Sequence, residues 1–222
     1  MIIITLKILN KISPAIVGVR GQLIVDALND AFQQYNIQPY DANAIIANLI
    51  HESREFTRFE ENLNYSAAAL SKLFGRHRIS LNQCNMYGRI DGKQKANKKA
   101  IANTIYGGNW GKINLGNTVQ NDGWELRGSG ALQMTGRAVI TLFTVHWNKL
   151  KGTQLAVYNM ADLLRDKANI TLSIHAACWF IREFRRVRPG TSFTGYVLVI
   201  NGGLNGIDDR LRYFNRGAKI LV

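Results

Sequence analysis

Cysteine is scarce in this chain of 222 residues: there are two, Cys84 and Cys178. Two thiols are too few for a disulfide-stapled scaffold or a cysteine-based zinc cluster. With three prolines, no proline-rich linker is present. There is no internal repeat and no low-complexity tract. No apolar run approaches the ~20 residues that a membrane-spanning helix needs, which excludes a protein built on such helices. Acidic residues are also under-represented. Fifteen Asp and Glu face 28 Lys and Arg, leaving a net charge of +13. Such a surplus points to an anionic partner: nucleic acid, an acidic cell-wall polymer or an anionic membrane surface. Charge alone does not choose among them. The hydrophobic fraction of 46% and charged fraction of 19% are those of a globular chain rather than a disordered one. The length suits one large domain, or one domain with a small subdomain.

The opening stretch, Met1 to Leu9, is apolar but lacks the features of a signal peptide. Its first Lys follows the start of the apolar run, the run is short, and no small-residue cleavage site follows. It reads as a strand or helix edge packed on the domain, in a protein that folds in the cytoplasm with both thiols reduced.

The rest reads as mostly helical. Ser13-Pro14 resembles an N-cap with Pro at the first helical position, leading a helix from Ala15 to Tyr35. Asp41 reads as the N-cap of the next helix. There Ala42, Ile45, Ile46, Leu49 and Ile50 make a full amphipathic stripe. Ser66 can cap a helix through Phe74. Residues 76–120 are basic and rich in Gly and Asn, and read as a loop-rich lobe. Helical patterns return at Ala138–Lys149, Ile170–Phe184 and Ile207–Leu221. Tyr196–Ile200 fits a strand or a buried helical turn, and periodicity does not decide.

Three segments carry candidate chemistry. In His51-Glu52-Ser53-Arg54-Glu55-Phe56-Thr57-Arg58-Phe59-Glu60-Glu61-Asn62, Glu52 extends the apolar stripe of its helix. A carboxyl at the edge of a core is desolvated, which favours the protonated form that a general acid needs. The plainer reading is a helix-end Glu paired with Arg54 or Arg58. On a continuous helix Glu61 would lie ~13.5 Å further along the axis, but a turn near Phe56 could bring it back. Inverting glycoside hydrolysis needs two carboxyls about 6.5–9.5 Å apart. Glu60 and Glu55 compete with Glu61 for the second role. His51 can orient Glu52 or be structural.

The second segment, Asp122 to Arg137, has glycines that allow close backbone approach. Gln133 and Thr135 there suit sugar hydroxyls and N-acetyl groups. It lacks the Lys-Ser/Thr ending of a phosphate-binding loop. The third segment, Ile200-Asn201-Gly202-Gly203 to Asp209-Arg210, contains a strong turn signal before the last helix. The four His lie far apart in sequence and fall in no metal-binding motif, so neither a metal nor another cofactor is expected.

Together these segments resemble glycoside hydrolase family 19, the chitinase-like group, and in particular its bacteriophage endolysins. The residues that carry the likeness are His51-Glu52-Ser53, Glu60-Glu61-Asn62-Leu63-Asn64-Tyr65-Ser66, Arg127-Gly128-x-Gly130-x-x-Gln133-x-Thr135-Gly136-Arg137, and Ile200-Asn201-Gly202-Gly203 with Asp209-Arg210. They span roughly Asp41 to Leu221. The resemblance implies a mainly α, two-lobed, lysozyme-like domain with a central substrate cleft, filling residues 1–222 without a separate wall-binding module. It implies inverting hydrolysis of β-1,4 bonds beside N-acetylated sugars, with Glu52 as general acid and Glu61 as base. It further implies that Gln133, Thr135, Asn201 and Arg210 contact sugar, water or the acid, with Tyr106 and Trp124 as weaker candidates for sugar stacking. The sequence departs from the family at Ser129, where Arg is frequent, and at Val139-Ile140, near a common Asn-Tyr pair.

The expectation is a monomeric phage endolysin acting on the glycan strands of peptidoglycan, waiting in the host cytoplasm until lysis releases it to the cell wall. A chitinase with the same residues is the enzymatic alternative, although a neutral polymer gives no use for the charge. A basic nucleic-acid-binding protein is a remote third reading without a recognition motif, so no nucleic-acid partner is expected. The stretch Trp179 to Arg188 is either core followed by a solvated arginine cluster, or a contact for anionic lipopolysaccharide or membrane.

Overall fold

The computed structural model describes residues 3–221, and among them every element of regular secondary structure is a helix. Extended pairing is limited to isolated bridges such as Glu60 with Ser129 and Ser129 with Met134. Two compact units form: Met1–Phe59, Gly130–Leu132 and Leu164–Val222 make the first, and Glu60–Ser129 with Gln133–Leu163 the second.

The first unit opens with α1 (Leu6–Ile12), α2 (Gly18–Gln34) and α3 (Pro39–Glu52). Of the apolar opening stretch, Met1 and Ile2 lie outside the described residues, and the rest leads into α1. Ser13 does not begin a helix; it ends α1, its amide donating to the Leu9 carbonyl. The chain then turns through Pro14 and α2 starts at Gly18. Asp41 is likewise not an N-cap. Pro39, which needs no amide partner at a first helical position, starts α3 two residues earlier. The Asp41 carboxylate is fully buried instead, accepting from the Gly190 amide at 3.1 Å with Arg182 at 3.7 Å.

Residues Asp41 to Ile50 of α3 are buried on every face, so this helix is central to its unit. The second unit contributes α4 (Ala67–Leu73), α5 (Leu81–Tyr87), α6 (Lys98–Ile105), α7 (Gly108–Leu115), α8 (Asp122–Glu125) and α9 (Arg137–Lys151). Ser66 caps α4, accepting from the Ala69 amide at 3.1 Å. Residues 76–120 thus hold three short helices joined by loops. Their apolar residues Ile79, Cys84, Ile101, Ala102 and Ile105 form a small core with Leu63 and Leu70. α10 (Val157–Arg165) carries the chain back to the first unit.

There α11 (Ile170–Trp179) packs on α2, and His175 donates to Asp30 at 3.0 Å. A π-helical turn, Phe180–Phe184, follows. Trp179 is core, Phe184 reaches the surface, and Arg185, Arg186 and Arg188 are exposed. α12 (Phe193–Asn201) and α13 (Ile207–Ala218) both pack against α3. Tyr196–Ile200 is therefore helical; Ser192 caps its helix through the Gly195 amide. Leu204 lies before α13 and is exposed, so the apolar face of that helix begins at Ile207.

Asp122 anchors the second unit. It is buried and accepts from the amides of Thr118 and Val119, from the Tyr158 hydroxyl at 2.8 Å, and from Arg137 through Nε at 2.8 Å and Nη2 at 2.5 Å. Burial alone would push its carboxyl up. The bonds from Arg137, Val119 and Tyr158 outweigh burial and hold it below the ordinary Asp range. A depressed folded value stabilises above the unfolded pKa, and that stability is lost as pH falls through the folded value. Asp122→Asn is expected to lower Tm at neutral pH. The gap to wild type should shrink once pH drops below about 4, where an unfolded Asp begins to protonate. Thermal melts across pH check this.

Candidate active site

Glu52 is the last residue of α3, and the way this helix ends decides what surrounds it. Ser53 Oγ donates to the Leu49 carbonyl at 2.6 Å and accepts from the Phe56 amide at 2.8 Å. Arg54, Glu55 and Phe56 then adopt left-handed backbone, with φ of 49°, 57° and 61°. Each such non-glycine residue costs on the order of 1–2 kcal/mol, so the turn is held by its surroundings. Phe56 is fully buried and its carbonyl accepts from Arg20 at 2.7 Å. The Glu55 carboxylate accepts from Ser13 Oγ at 2.5 Å, with the Tyr213 hydroxyl at 3.5 Å.

Beyond the turn, α13 supplies the partner of Glu52. Arg210 is 1% exposed, and each nitrogen of its guanidinium makes a hydrogen bond. Nη2 donates to Glu52 Oε1, Nη1 donates to Asn48 Oδ1 at 2.7 Å, and Nε donates to the Asn205 carbonyl at 3.2 Å. Asn48 lies one helical turn before Glu52 and is itself buried, its amide donating to the Ala44 carbonyl at 2.8 Å. The ion pair foreseen with Arg54 or Arg58 is thus made by Arg210.

His51 Nδ1 donates to Asp209 Oδ2 at 2.7 Å, a contact that places the proton on Nδ1. Gly206 approaches the same ring so closely that a Cβ there would sit 2.4 Å from His51 Cε1, and its φ of +70° suits glycine. Around these groups lies a hollow of about 490 Å³, lined by His51, Glu52, Arg54, Glu55, Arg58, Asp209, Arg212 and Tyr213.

In the second unit Glu61 sits on a short extended segment whose amide donates to the Gly128 carbonyl at 3.0 Å. The Gly128 amide returns a bond of 3.3 Å to Glu61 Oε2, and the Tyr106 hydroxyl donates to Oε1 at 2.6 Å. Burial, and then the neighbouring Glu61 carboxylate, push the Tyr106 hydroxyl well above its ordinary value, so it remains a donor. A Cβ at Gly128 would sit 3.0 Å from both Glu61 Cβ and Gln133 Oε1, so any larger residue there would press on these two side chains. Arg78 lies over the Trp110 ring at 3.6 Å and near Tyr106 at 5.7 Å. Glu60 has other partners. Its carboxylate accepts from Arg127 Nε at 3.0 Å and Nη2 at 2.8 Å, and Arg127 itself lies over the Trp124 ring at 3.8 Å.

The first unit therefore gathers His51, Glu52 and Arg210, while Asn201 closes its own turn by donating to the Gly203 carbonyl at 3.2 Å. The second gathers Glu61, Tyr106 and Gln133. Thr135 is tied to this loop by its bond to the Gln133 carbonyl. Trp124 has one ring face covered by Arg127. Tyr106→Phe removes a hydrogen bond to a charged acceptor. It is expected to lower kcat about tenfold with little change in KM, measured by steady-state kinetics.

The chain matches no protein-family model. A protein of Haemophilus influenzae (strain ATCC 51907 / DSM 11121 / KW20 / Rd), described as a glycosyl hydrolase family 19 domain-containing protein, is 32% identical over 164 residues, which are 74% of this chain and 72% of that protein. The chain belongs to glycosyl hydrolase family 19.

Solved structures agree on the fold. Chitinase C from Streptomyces griseus HUT6037 superposes with a TM-score of 0.53 at 15% identity, covering 99% of this chain and 92% of that one. A chitinase C mutant gives 0.53 at 13% identity, covering 99% and 76%. This family 19 member is accordingly a chitinase-like glycoside hydrolase with a mainly helical, lysozyme-like fold. Sequence reasoning passed over several residues that build its candidate site. Asn48 offered one signal, a polar residue one helical turn before Glu52 in an otherwise apolar helix. Asp209 stood beside Arg210 in a matched motif without a role of its own, and Arg78 gave no signal.

Proposed function

We propose that this family 19 hydrolase is a phage endolysin that cleaves β-1,4 bonds in the glycan strands of bacterial peptidoglycan with inversion. In this reading Glu52, protonated, donates to the leaving glycosidic oxygen. Glu61, ionised, takes a proton from the water that attacks the anomeric carbon from the opposite face. One C–O bond breaks and one forms, and solvent returns the two carboxyls to their starting states. What supports a two-carboxyl reading is that other groups hold both side chains in place, with different partners for each. Glu52 accepts from the buried Arg210, which Asn48 holds in turn, while a phenol hydroxyl and a backbone amide donate to Glu61.

The net charge of +13 carries the choice of polymer, because peptidoglycan bears carboxylates and chitin bears none. The exposed Arg185 and Arg186 fit the same anionic envelope. Chitin is the second reading, favoured by the likeness to chitinase C. Digestion of purified peptidoglycan and of chitin oligomers, with fragments read by mass spectrometry, separates the two. New reducing-end muramic acid or glucosamine from peptidoglycan supports the proposal; cleavage of chitin alone, or release of peptides alone, overturns it.

A further inference from the structure

Three consecutive residues, Arg54, Glu55 and Phe56, occupy backbone that favours glycine. Phe56 has an evident reason to be there: its ring is fully buried and fastens the turn. Glu55 is engaged by Ser13 and Tyr213. Arg54 differs from both. Its side chain is exposed, and among the described residues its guanidinium has no acidic partner. Glycine would fit this backbone at lower conformational cost, yet the position carries a long cation on the wall of the hollow that holds Glu52. The carboxylates around that hollow are already engaged: Glu52 by Arg210, and Asp209 by His51 and Arg212. The Arg54 charge is thus left for something that enters from outside.

We propose that Arg54 is a specificity residue, held by the left-handed turn beside Glu52 to bind a carboxylate carried on the side groups of the glycan. The inference rests on the peptidoglycan reading, since chitin has no such group. Two sources share this chemistry: the carboxylates of the peptide stems, and the lactyl carboxylate of muramic acid once a stem has been removed. A guanidinium takes either through paired N–H donors.

The experiment compares kcat/KM for wild type and Arg54→Gly on two substrates: stem-bearing strands and strands stripped of stems by an amidase. Each is used as such and after its carboxylates have been capped as neutral amides. Wild type should prefer the carboxylate form over the capped form by about threefold or more, the scale of one exposed charge-assisted contact. Arg54→Gly should lose that preference on at least one substrate, with a Tm no lower than wild type because glycine suits the backbone. Loss on stem-bearing strands alone assigns the peptide carboxylates, and loss on stripped strands alone assigns the lactyl group. A wild type indifferent to capping, or a variant that keeps the full preference, overturns the assignment. Wild type that cleaves neither substrate in any form overturns the peptidoglycan reading itself, and the role of Arg54 with it.

Discussion

Glu52→Gln and Glu61→Gln are each expected to lower kcat by about 10²–10⁴-fold, the range that positioned proton transfer contributes. Both substitutions keep the shape of the side chain and an amide oxygen to accept hydrogen bonds. In Glu52→Gln that oxygen would still accept from Arg210. In Glu61→Gln it would still accept from Tyr106 and the Gly128 amide, so in both the fold should hold and KM should change little. The control is Glu60→Gln. Glu60 is engaged by Arg127, whose guanidinium stacks on Trp124. Its loss should cost stability before it costs chemistry. Equal kinetic damage from Glu60→Gln, with Glu61→Gln still active, would move the base to Glu60.

Arg210→Met is expected to destabilise the protein by about 3 kcal/mol or more, because it strands Asn48 and the Asn205 carbonyl and leaves Glu52 without its cation in a largely buried place. For a chain of this size that corresponds to a fall in Tm of roughly 6–12 °C. Arg210→Lys should not rescue it: one ammonium cannot reach three acceptors laid out for a planar fork. The double variant Arg210→Met with Glu52→Gln should recover part of the loss, since no uncompensated carboxylate remains. Additive losses in that cycle would show that the Arg210–Glu52 pair carries little coupling. Thermal melts of the four proteins give the answer directly.

What was legible in the sequence follows the range of the physics that acts on each residue. The stripe of Ala42, Ile45, Ile46, Leu49 and Ile50 is a local pattern, and it located α3 and carried Glu52 on its extension, although the helix ends at Glu52 rather than near Phe56. Ser66 as a cap and the helix Ile207–Ala218 were likewise readable, because capping and amphipathic spacing act within a few residues. The end of α3 was harder. Arg54 and Glu55 are ordinary helix formers, and only the burial of Phe56 and the bonds from Ser13 and Arg20 hold them in left-handed backbone. Asp41 misled because its type suits a cap, whereas tertiary partners at Gly190 and Arg182 bury it inside the helix. Tyr196–Ile200 is β-branched and aromatic enough for a strand, and packing on α3 makes it helical. In the site, Arg210 came from a matched motif, but the contact that gives it meaning spans 158 residues to Glu52. No periodicity reports a contact at that separation. The choice between Glu60 and Glu61 was open for the same reason: Arg127 and Tyr106, which distinguish their surroundings, are distant in the chain.

The most direct test of the two-carboxylate inverting account is the anomer of the freshly released reducing end, followed by ¹H NMR during the first turnovers on a β-1,4-linked glycan. Inversion, with Glu52 as acid and Glu61 activating water, predicts that the α-anomer forms first and the β-anomer grows in only by mutarotation. Initial release of the β-anomer would mean that configuration is retained, and would contradict the account.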